Sequence, residues 1–172
     1  MDATELLRPG LLDGSVVAVT DDDAAGTGLR TLGATTPLLT PAFPLDDEAL
    51  AAAAAQLGSV DAIVCDGRTL FDAAGGGLAG LRAAVDGCFA AARAVVNAAF
   101  IPAARGKVVL LAPADAATAA ALENTARTLS TEWARHGIVI TCIHAGAASD
   151  ALLAFLCSQA GDYYSGCAFT RG

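Results

Sequence analysis

Residues 110–146, LLAPADAATAAALENTARTLSTEWARHGIVITCIHAG, decide the fold of this chain. A short apolar run is followed by a segment in which large apolar side chains recur at helical spacing up to Trp133. The turn ARHG then leads into a second apolar run. This order predicts a strand, a helix over 118–136 and a strand over 137–146. Buried strands joined by a helix indicate a parallel sheet with helices packed on its faces.

The same alternation continues in both directions along the chain. Further strands are predicted at 15–20 (SVVAVT), 60–67 (VDAIVCDG), 107–113 (KVVLLAP) and 163–172 (YYSGCAFTRG), and further helices at 44–58, 78–106 and 149–162. We expect the segment 21–34 to be a loop with at most a short helix. The segment 35–43, TTPLLTPAF, is predicted as an edge strand, because its prolines cannot donate to a central ladder. The prediction is one α/β domain over 1–172, with a doubly wound parallel sheet in three layers.

Composition excludes several classes of function. The formal net charge is −8 and no basic run is present, so binding to nucleic acid through its phosphates is not expected. Hydrophobic residues make up 55% of the chain, yet the longest apolar candidate, Ala83–Ala104, contains Asp86, Arg93 and Asn97. We therefore expect no segment to approach the roughly 20 apolar residues of a membrane span. The acidic start MDATELLRPG does not resemble a signal peptide, and a cytoplasmic location is expected.

Metal, phosphate and hydrolase chemistry are not expected either. The five cysteines are scattered without a Cys-x-x-Cys pair and are predicted to be buried free thiols: Cys65, Cys88, Cys142, Cys157 and Cys167. With only His136 and His144 besides, no metal site is predicted. Ser149 and Asp150 lie too close in sequence to His144 for a catalytic triad. The glycine-rich stretch 73–80, AAGGGLAG, is predicted as a flexible loop, since no Lys and Ser/Thr pair follows it.

Several blocks of this sequence resemble the short-chain dehydrogenase/reductase family. LLDGSVVAVT is similar to its opening strand, VDAIVCDG to the strand before its Asn-Asn-Ala-Gly motif, and GKVVLLAP to the strand that delivers the catalytic serine. The two most specific blocks are AALENTARTLSTEWARHGIVITCIHAG and LLAFLCSQAGDYYSGCAFTRG, which resemble the helix and strand after the catalytic tyrosine and the C-terminal helix and strand. The resemblance implies a Rossmann-type fold over residues 11–172.

The resemblance also implies a catalytic set of serine, tyrosine, lysine and asparagine, and this chain lacks it. The tyrosine position is Asp115, the lysine position is Ala119 and the asparagine position falls at about Ala84. The serine would lie in LAPA, residues 111–114, where there is none. Because an aspartate is normally ionised at neutral pH, Asp115 has no proton to donate to a carbonyl substrate. We therefore predict no catalytic residues of the family type.

A shifted alignment does not restore the set. Lys107 is the only lysine in the chain and stands at the start of a predicted strand. The only tyrosines, Tyr163 and Tyr164, are followed four residues later by Cys167 and Ala168.

The cofactor loop that the resemblance implies is altered as well. In the family this loop reads Thr-Gly-x-x-x-Gly-x-Gly and directs backbone N–H groups at a pyrophosphate. Here it reads TDDDAAGTG, with Asp21 at the first glycine position, two further aspartates behind it, and Gly26 and Gly28 as a remaining G-x-G pair. Three carboxylates beside a pyrophosphate would cost roughly several kcal/mol. We therefore expect this chain to bind no nicotinamide cofactor.

Two further parts of the family fold are predicted to be missing. Between Ala34 and Leu45 there is room for one strand and not for the usual strand, helix and strand, so the sheet is expected to lack about one βα unit. Few residues separate IHAG from the C-terminal helix, so the segment that covers the substrate is also expected to be absent.

The best-preserved segments are those that join subunits in the family: helices 79–104 and 118–136 and strand 166–171. The residues expected at such an interface are Ala91, Ala92 and Ala126 for close approach, with Phe89, Leu129 and Trp133 as larger anchors. The resulting hypothesis is a catalytically inactive family member. It would serve as the structural subunit of a hetero-oligomer, expected as a tetramer, with an intact paralogue that supplies the NAD(P) site.

The resemblance extends to a substrate class and leaves two alternatives open. Mixed assemblies of this family include dehydrogenases for β-hydroxyacyl-CoA thioesters, which makes that class a hypothesis for the partner's substrate. The first alternative is a stand-alone pseudoenzyme that binds a small ligand or regulates another protein. The second is an enzyme with repurposed chemistry at Asp115 or His144.

Overall fold

The computed structural model describes the backbone of residues 3–171 and the side chains of residues 5–22 and 26–171. Five parallel strands form one sheet in the order β1-β2-β3-β4-β5. Their bounds are β1 Val17–Val19, β2 Ala62–Asp66, β3 Gly106–Ala112, β4 Ile138–His144 and β5 Ala168–Phe169. The predicted parallel α/β fold is confirmed, although the last strand is only two residues long.

Eight α-helices accompany the strands within the described residues. They are α1 Ala3–Leu6, α2 Asp22–Thr31, α3 Asp47–Gln56, α4 Gly67–Ala73, α5 Gly77–Val95, α6 Ile101–Ala103, α7 Ala116–Trp133 and α8 Asp150–Cys157. The sequence did not predict α1 or α4. The segment 73–80, predicted as a flexible loop, contributes only residues 74–76 to a connection, because α5 already begins at Gly77.

The sheet is bounded beside β1 by a single extended segment, as the length of the chain between Ala34 and Leu45 predicts. Val17 N–H donates to Thr35 O at 2.9 Å and Leu39 N–H donates to Val19 O at 2.8 Å. Two isolated parallel bridges, at Thr35 and Leu38, are all the regular pairing that this segment makes. The predicted edge strand is therefore shorter than a regular strand. One βα unit is missing from the sheet at this side.

Helices cover both faces of the sheet. On one face, α5 and α7 bury Cys88, Val95, Leu122 and Ala126 against the inner side chains of the strands. On the other face, α2 and α8 form a second apolar core that includes Leu29, Leu32, Leu153 and Leu156. The buried strands are apolar on both sides because helices pack on both faces of a parallel sheet.

The longest helix runs without interruption over Gly77–Ala103 and includes a π-helical segment, Val96–Phe100. Its 27 residues and hydropathy of 1.4 make it long and apolar enough to span a membrane. The expectation that no segment approaches such a length is therefore wrong by these two criteria. Inside the protein, 56% of its most apolar window is buried, and packing against the core accounts for its composition.

Candidate functional site

The carboxyl edge of the sheet, where open α/β folds bind their ligands, carries a charge cluster that involves β2 and α4. Asp66 ends β2 and has no exposed surface. Arg68, two residues later, donates from Nε to Asp66 Oδ1 at 2.9 Å and from Nη2 to Asp66 Oδ2 at 2.6 Å. The backbone N–H of Arg68 also donates to Oδ1 at 2.9 Å, so Asp66 caps α4 as well.

Two more carboxylates act on the same guanidinium. The pKa of Arg68 is raised, first by its hydrogen bonds to Asp66 against the opposing effect of burial, and further by the charges of Asp66, Asp21 and Asp150. Asp21 follows β1 and Asp150 is the first residue of α8, so three parts of the fold contribute to this group, which we name the Arg68 cluster. Asp66 is hydrogen-bonded to the guanidinium, and Asp21 and Asp150 raise the pKa of Arg68 through their charges.

Helices α2 and α8 meet beside the Arg68 cluster. A Cβ placed on Gly28 would lie 2.5 Å from the Cβ of Asp150, a distance that no two such atoms adopt. Glycine at position 28 is therefore required for α8 to approach α2 this closely. Both glycines of the TDDDAAGTG segment lie inside α2, and Gly28 has this packing role.

The expected loop after β1 is largely absent. Helix α2 begins at Asp22, three residues after the last residue of β1, and continues for 10 residues. The prediction of a loop with at most a short helix is wrong, because this segment is helical from its second aspartate onward. Asp22 pairs with Arg30 on the exposed side of the helix.

Asp115 is the N-cap of α7. Its Oδ1 accepts from the backbone N–H of Thr118 at 2.8 Å and from Thr118 Oγ1 at 2.6 Å. These hydrogen bonds lower the pKa of Asp115, which favours the charged carboxylate. A carboxylate with a lowered pKa and both bonds directed at its own helix is a poor general base.

The two alanines at positions of the family's catalytic set lie in the core. The lysine and the tyrosines of this chain, which stand at other positions, lie away from this edge. Ala84 and Ala119 are buried within the apolar core. Lys107 stands at the start of β3, at the opposite edge of the sheet, and its Nζ contacts Asp162 at 2.7 Å. Tyr163 is exposed, and Tyr164 packs against Phe155.

A second polar group joins α7 to β4; the sequence analysis named its His144 as a candidate but not the partner of that histidine. The Nε2 of His144, the last residue of β4, lies 3.0 Å from Glu123 Oε2. Glu123 Oε1 also contacts Arg127 Nη2 at 2.5 Å. Both His144 and Glu123 are about three-quarters buried by side chain. His144 is therefore held by an acidic partner, an arrangement that orients an imidazole.

The remaining candidates from the sequence are distributed as structural groups. Ser149 is the N-cap of α8 and accepts from the N–H of Leu152 at 3.2 Å, so it is not part of a triad with His144. Four of the cysteines are buried, and burial raises the pKa of Cys142 and Cys157 to about 12. Cys167 is exposed, so the prediction of a buried thiol is wrong there. Among the described residues, no group of three or more metal-ligating side chains is present.

The residues expected at a subunit interface are mostly internal. Ala91, Ala92 and Ala126 are buried in this chain's own core, so the expectation that they form the contact surface is wrong. Leu129 belongs to the same core and also borders a surface groove. Trp133 is partly buried against the same core. The outer faces of α5 and α7 instead border a groove of about 260 Å³. Its lining, which we name the α5/α7 groove, is Val85, Asp86, Phe89, Asn124, Thr125, Thr128 and Leu129.

Comparison with solved structures identifies the fold. No protein-family model and no curated protein matches this sequence. Over 95% of both chains, the structure is similar to the citronellol catabolism dehydrogenase of Pseudomonas aeruginosa PAO1, with a TM-score of 0.71 and 18% identity. Over 93% of this chain and 92% of the other, it resembles a short chain dehydrogenase from Mycobacterium smegmatis, with a TM-score of 0.71 and 19% identity.

A third similar structure is a 7α-hydroxysteroid dehydrogenase complexed with NADH and 7-oxo glycochenodeoxycholic acid. It matches over 94% of both chains, with a TM-score of 0.70 and 19% identity. The chain therefore has a Rossmann-like α/β fold. More narrowly, it has the fold of the short-chain dehydrogenases/reductases, in a shortened form.

A signal for the Arg68 cluster was present in the sequence. The letters CDGR place an acid and a base two residues apart directly after a buried strand, at the edge where α/β folds bind ligands. The contribution of Asp150 had no such signal, because it depends on how closely α8 approaches α2. The pairing of His144 with Glu123 depends on the packing of α7 against β4 in the same way.

Proposed function

We propose that this chain is a non-catalytic protein of the short-chain dehydrogenase/reductase type, which acts as the structural subunit of a hetero-oligomeric NAD(P)-dependent dehydrogenase. The observation that carries the proposal is the Arg68 cluster. It lies at the edge of the sheet where a Rossmann-like fold binds a dinucleotide, and it is held together by the chain's own side chains.

The residues at this edge do not fit a nicotinamide dinucleotide. A pyrophosphate carries negative charge and is bound by free N–H groups and unpaired cations. The Arg68 guanidinium is already engaged by both oxygens of Asp66, and Asp21 and Asp150 add two more negative charges. At an intermediate dielectric, two like unit charges about 4 Å apart repel each other by roughly 4 kcal/mol, and the same repulsion would act between a carboxylate and a pyrophosphate.

The positions of the family's catalytic set support the same proposal. Asp115 serves as a helix cap, and Ala119 and Ala84 are core residues. None of these side chains can pass a proton to a carbonyl oxygen and hold a ribose. We propose that an intact paralogue supplies these residues together with the NAD(P) site, and that the assembly acts on a β-hydroxyacyl-CoA thioester in the cytoplasm.

The contact surface that we propose is centred on the α5/α7 groove. Phe89 is 38% exposed on α5, and the Arg93 guanidinium lies 5.5 Å from the centre of its ring. An exposed aromatic ring beside a small groove is typical of the anchor residues of protein interfaces. The strand 166–171 contributes little regular structure to such a contact, since β5 spans only Ala168–Phe169.

The proposal is tested by co-expression with the dehydrogenase encoded beside this chain. We expect size-exclusion chromatography with light scattering to give a mixed tetramer, and titration of the isolated chain with NADH to give no binding. Phe89→Glu should abolish the mixed species, whereas the control variant Leu38→Glu, at an exposed apolar residue away from the groove, should leave it intact. A homo-oligomer that ignores the dehydrogenase, or NADH binding by the isolated chain, would contradict the proposal.

A second candidate function is that of an enzyme with repurposed chemistry, in which the His144–Glu123 pair transfers a proton. A carboxylate that orients an imidazole is a frequent arrangement for proton transfer. Here His144 Nε2 lies 3.0 Å from Glu123 Oε2, and His144 ends β4 at the carboxyl edge of the sheet. The candidate requires turnover by the isolated chain that is lost in both His144→Gln and Glu123→Gln. Turnover that survives in both variants, or none in the wild-type chain, removes it.

A further inference from the structure

We propose that a cavity between α4, α5 and the loop before α3 binds a small monocarboxylate with an unbranched apolar chain, such as a medium-chain fatty acid. This cavity lies outside the Arg68 cluster and shares only Asp86 with the α5/α7 groove, and the proposal does not depend on the proposed subunit role. Its volume is about 570 Å³, within the range of roughly 300–1,000 Å³ that is typical of small-molecule sites.

The walls of the cavity are apolar. The larger side chains of the wall are Phe43 and Leu70, and the methyl groups of Ala73, Ala79 and Ala83 extend it. Phe43 is 49% exposed and Ala73 and Ala79 are exposed, so this apolar surface is uncovered in the described structure. Apolar surface of this kind gains free energy when an apolar chain removes it from water.

Gly87 shapes the floor of the cavity. A Cβ on Gly87 would lie 2.8 Å from Leu70 Cδ1 and 3.1 Å from Phe43 Cζ. Because glycine lacks that atom, the side chains of Leu70 and Phe43 can pack closely against α5. The apolar part of the cavity is therefore formed by close packing of the loop and α4 on α5.

The rim of the cavity selects the headgroup. Arg82 and Asp86 both line it from successive turns of α5, and neither makes an ion pair with another of the described residues. An Arg guanidinium without a partner at the mouth of an apolar cavity fits one carboxylate. Asp86 adds a negative charge to the same rim, so a ligand with a single carboxylate is repelled less than a dicarboxylate or a phosphate monoester.

The test is calorimetric titration of the whole chain with butanoate, hexanoate, octanoate and decanoate. Each buried methylene should strengthen binding by about fourfold until the cavity is filled. Arg82→Gln should weaken octanoate binding by about two- to fivefold, the range of an exposed ion pair, since Arg82 is exposed. Binding of octan-1-ol should be unchanged, because the alcohol carries no charge for the guanidinium to bind.

A filling variant completes the test. Ala79→Leu places a larger side chain in the cavity from an exposed helical position, where folding tolerates it. It should abolish octanoate binding, while Ala52→Leu, at an exposed position of α3 outside the cavity lining, should bind as the wild type does. Absence of binding to the wild type, affinity independent of chain length, or equal binding by the Ala79→Leu chain would each overturn the proposal.

Discussion

Replacing Arg68 by methionine tests the Arg68 cluster most directly. The Arg68→Met variant keeps an unbranched apolar stem and removes two hydrogen bonds, of 2.9 and 2.6 Å, to a carboxylate with no exposed surface. Breaking one side of a buried ion pair costs about 3–5 kcal/mol. The Arg68 side chain is 28% exposed, and Asp66 keeps one backbone donor, so the lower end of that range applies. At roughly 2–4 °C per kcal/mol, we expect the melting temperature to fall by about 6–12 °C.

A double-mutant cycle isolates the pair from other effects. Asp66→Asn, Arg68→Met and the double variant are unfolded by urea and followed by circular dichroism. We expect the double variant to recover part of the loss, with a coupling free energy of about 2 kcal/mol or more. The matched control is the exposed pair of Arg93 and Asp47, for which coupling should stay below about 1 kcal/mol. Equal coupling in the two cycles would refute the assignment of Asp66 and Arg68 as a buried pair.

Three further outcomes follow from the structure. Because hydrogen bonds lower the folded-state pKa of Asp115, its charge stabilises the protein above the unfolded value of about 3.9 and the effect is lost as pH falls through the folded value. The test compares the unfolding free energies of the wild type and Asp115→Asn, measured by urea unfolding from pH 7 to pH 3. The difference between them should become smaller as the pH falls, and a constant difference would contradict this. Among the five cysteines, Cys167 alone should react rapidly with a disulfide reagent in the native protein, and all five after unfolding; rapid reaction of a second native thiol would show that the core is open. Gly28→Ala should destabilise the protein by about 1–3 kcal/mol in thermal unfolding, since the new Cβ would lie 2.5 Å from Asp150 Cβ, whereas an unchanged melting temperature would mean that α8 does not press on α2.

The sequence predicted the parts of the fold that depend on local pattern. The segment 110–146 reads as strand, helix and strand, and the structure has β3, α7 and β4 there. Such patterns are reliable because each buried strand and each helix face must present apolar side chains to the same core. The single extended segment beside β1 was predictable from length alone, since too few residues remain for a full βα unit.

The charged sites were predicted less well, because they depend on contacts between distant segments. The segment 21–34 was predicted as a loop with at most a short helix, whereas Asp22 begins a helix of 10 residues. Helix propensity is a weak guide there, and packing of Leu29 and Leu32 into the core decides the conformation. Three of the expected interface residues, Ala91, Ala92 and Ala126, were misplaced for a related reason. Small residues such as Ala91 allow close approach to any neighbour, and the neighbour proved to be this chain's own core.

The extended segment beside β1 also determines how the sheet can grow. An exposed edge strand offers a row of unpaired N–H and C=O groups to which another chain can add a strand, and this is a common route to aggregation. Here the row on β1 is occupied by residues 35–39, since Val19 N–H donates to Pro37 O and Leu39 N–H donates to Val19 O. Because backbone groups alternate in direction along a strand, Thr36 and Leu38 turn theirs outward, and Pro41 follows closely. The loss of a βα unit has thus left an outer edge of very few residues, and a short edge strand limits sheet extension by a second molecule.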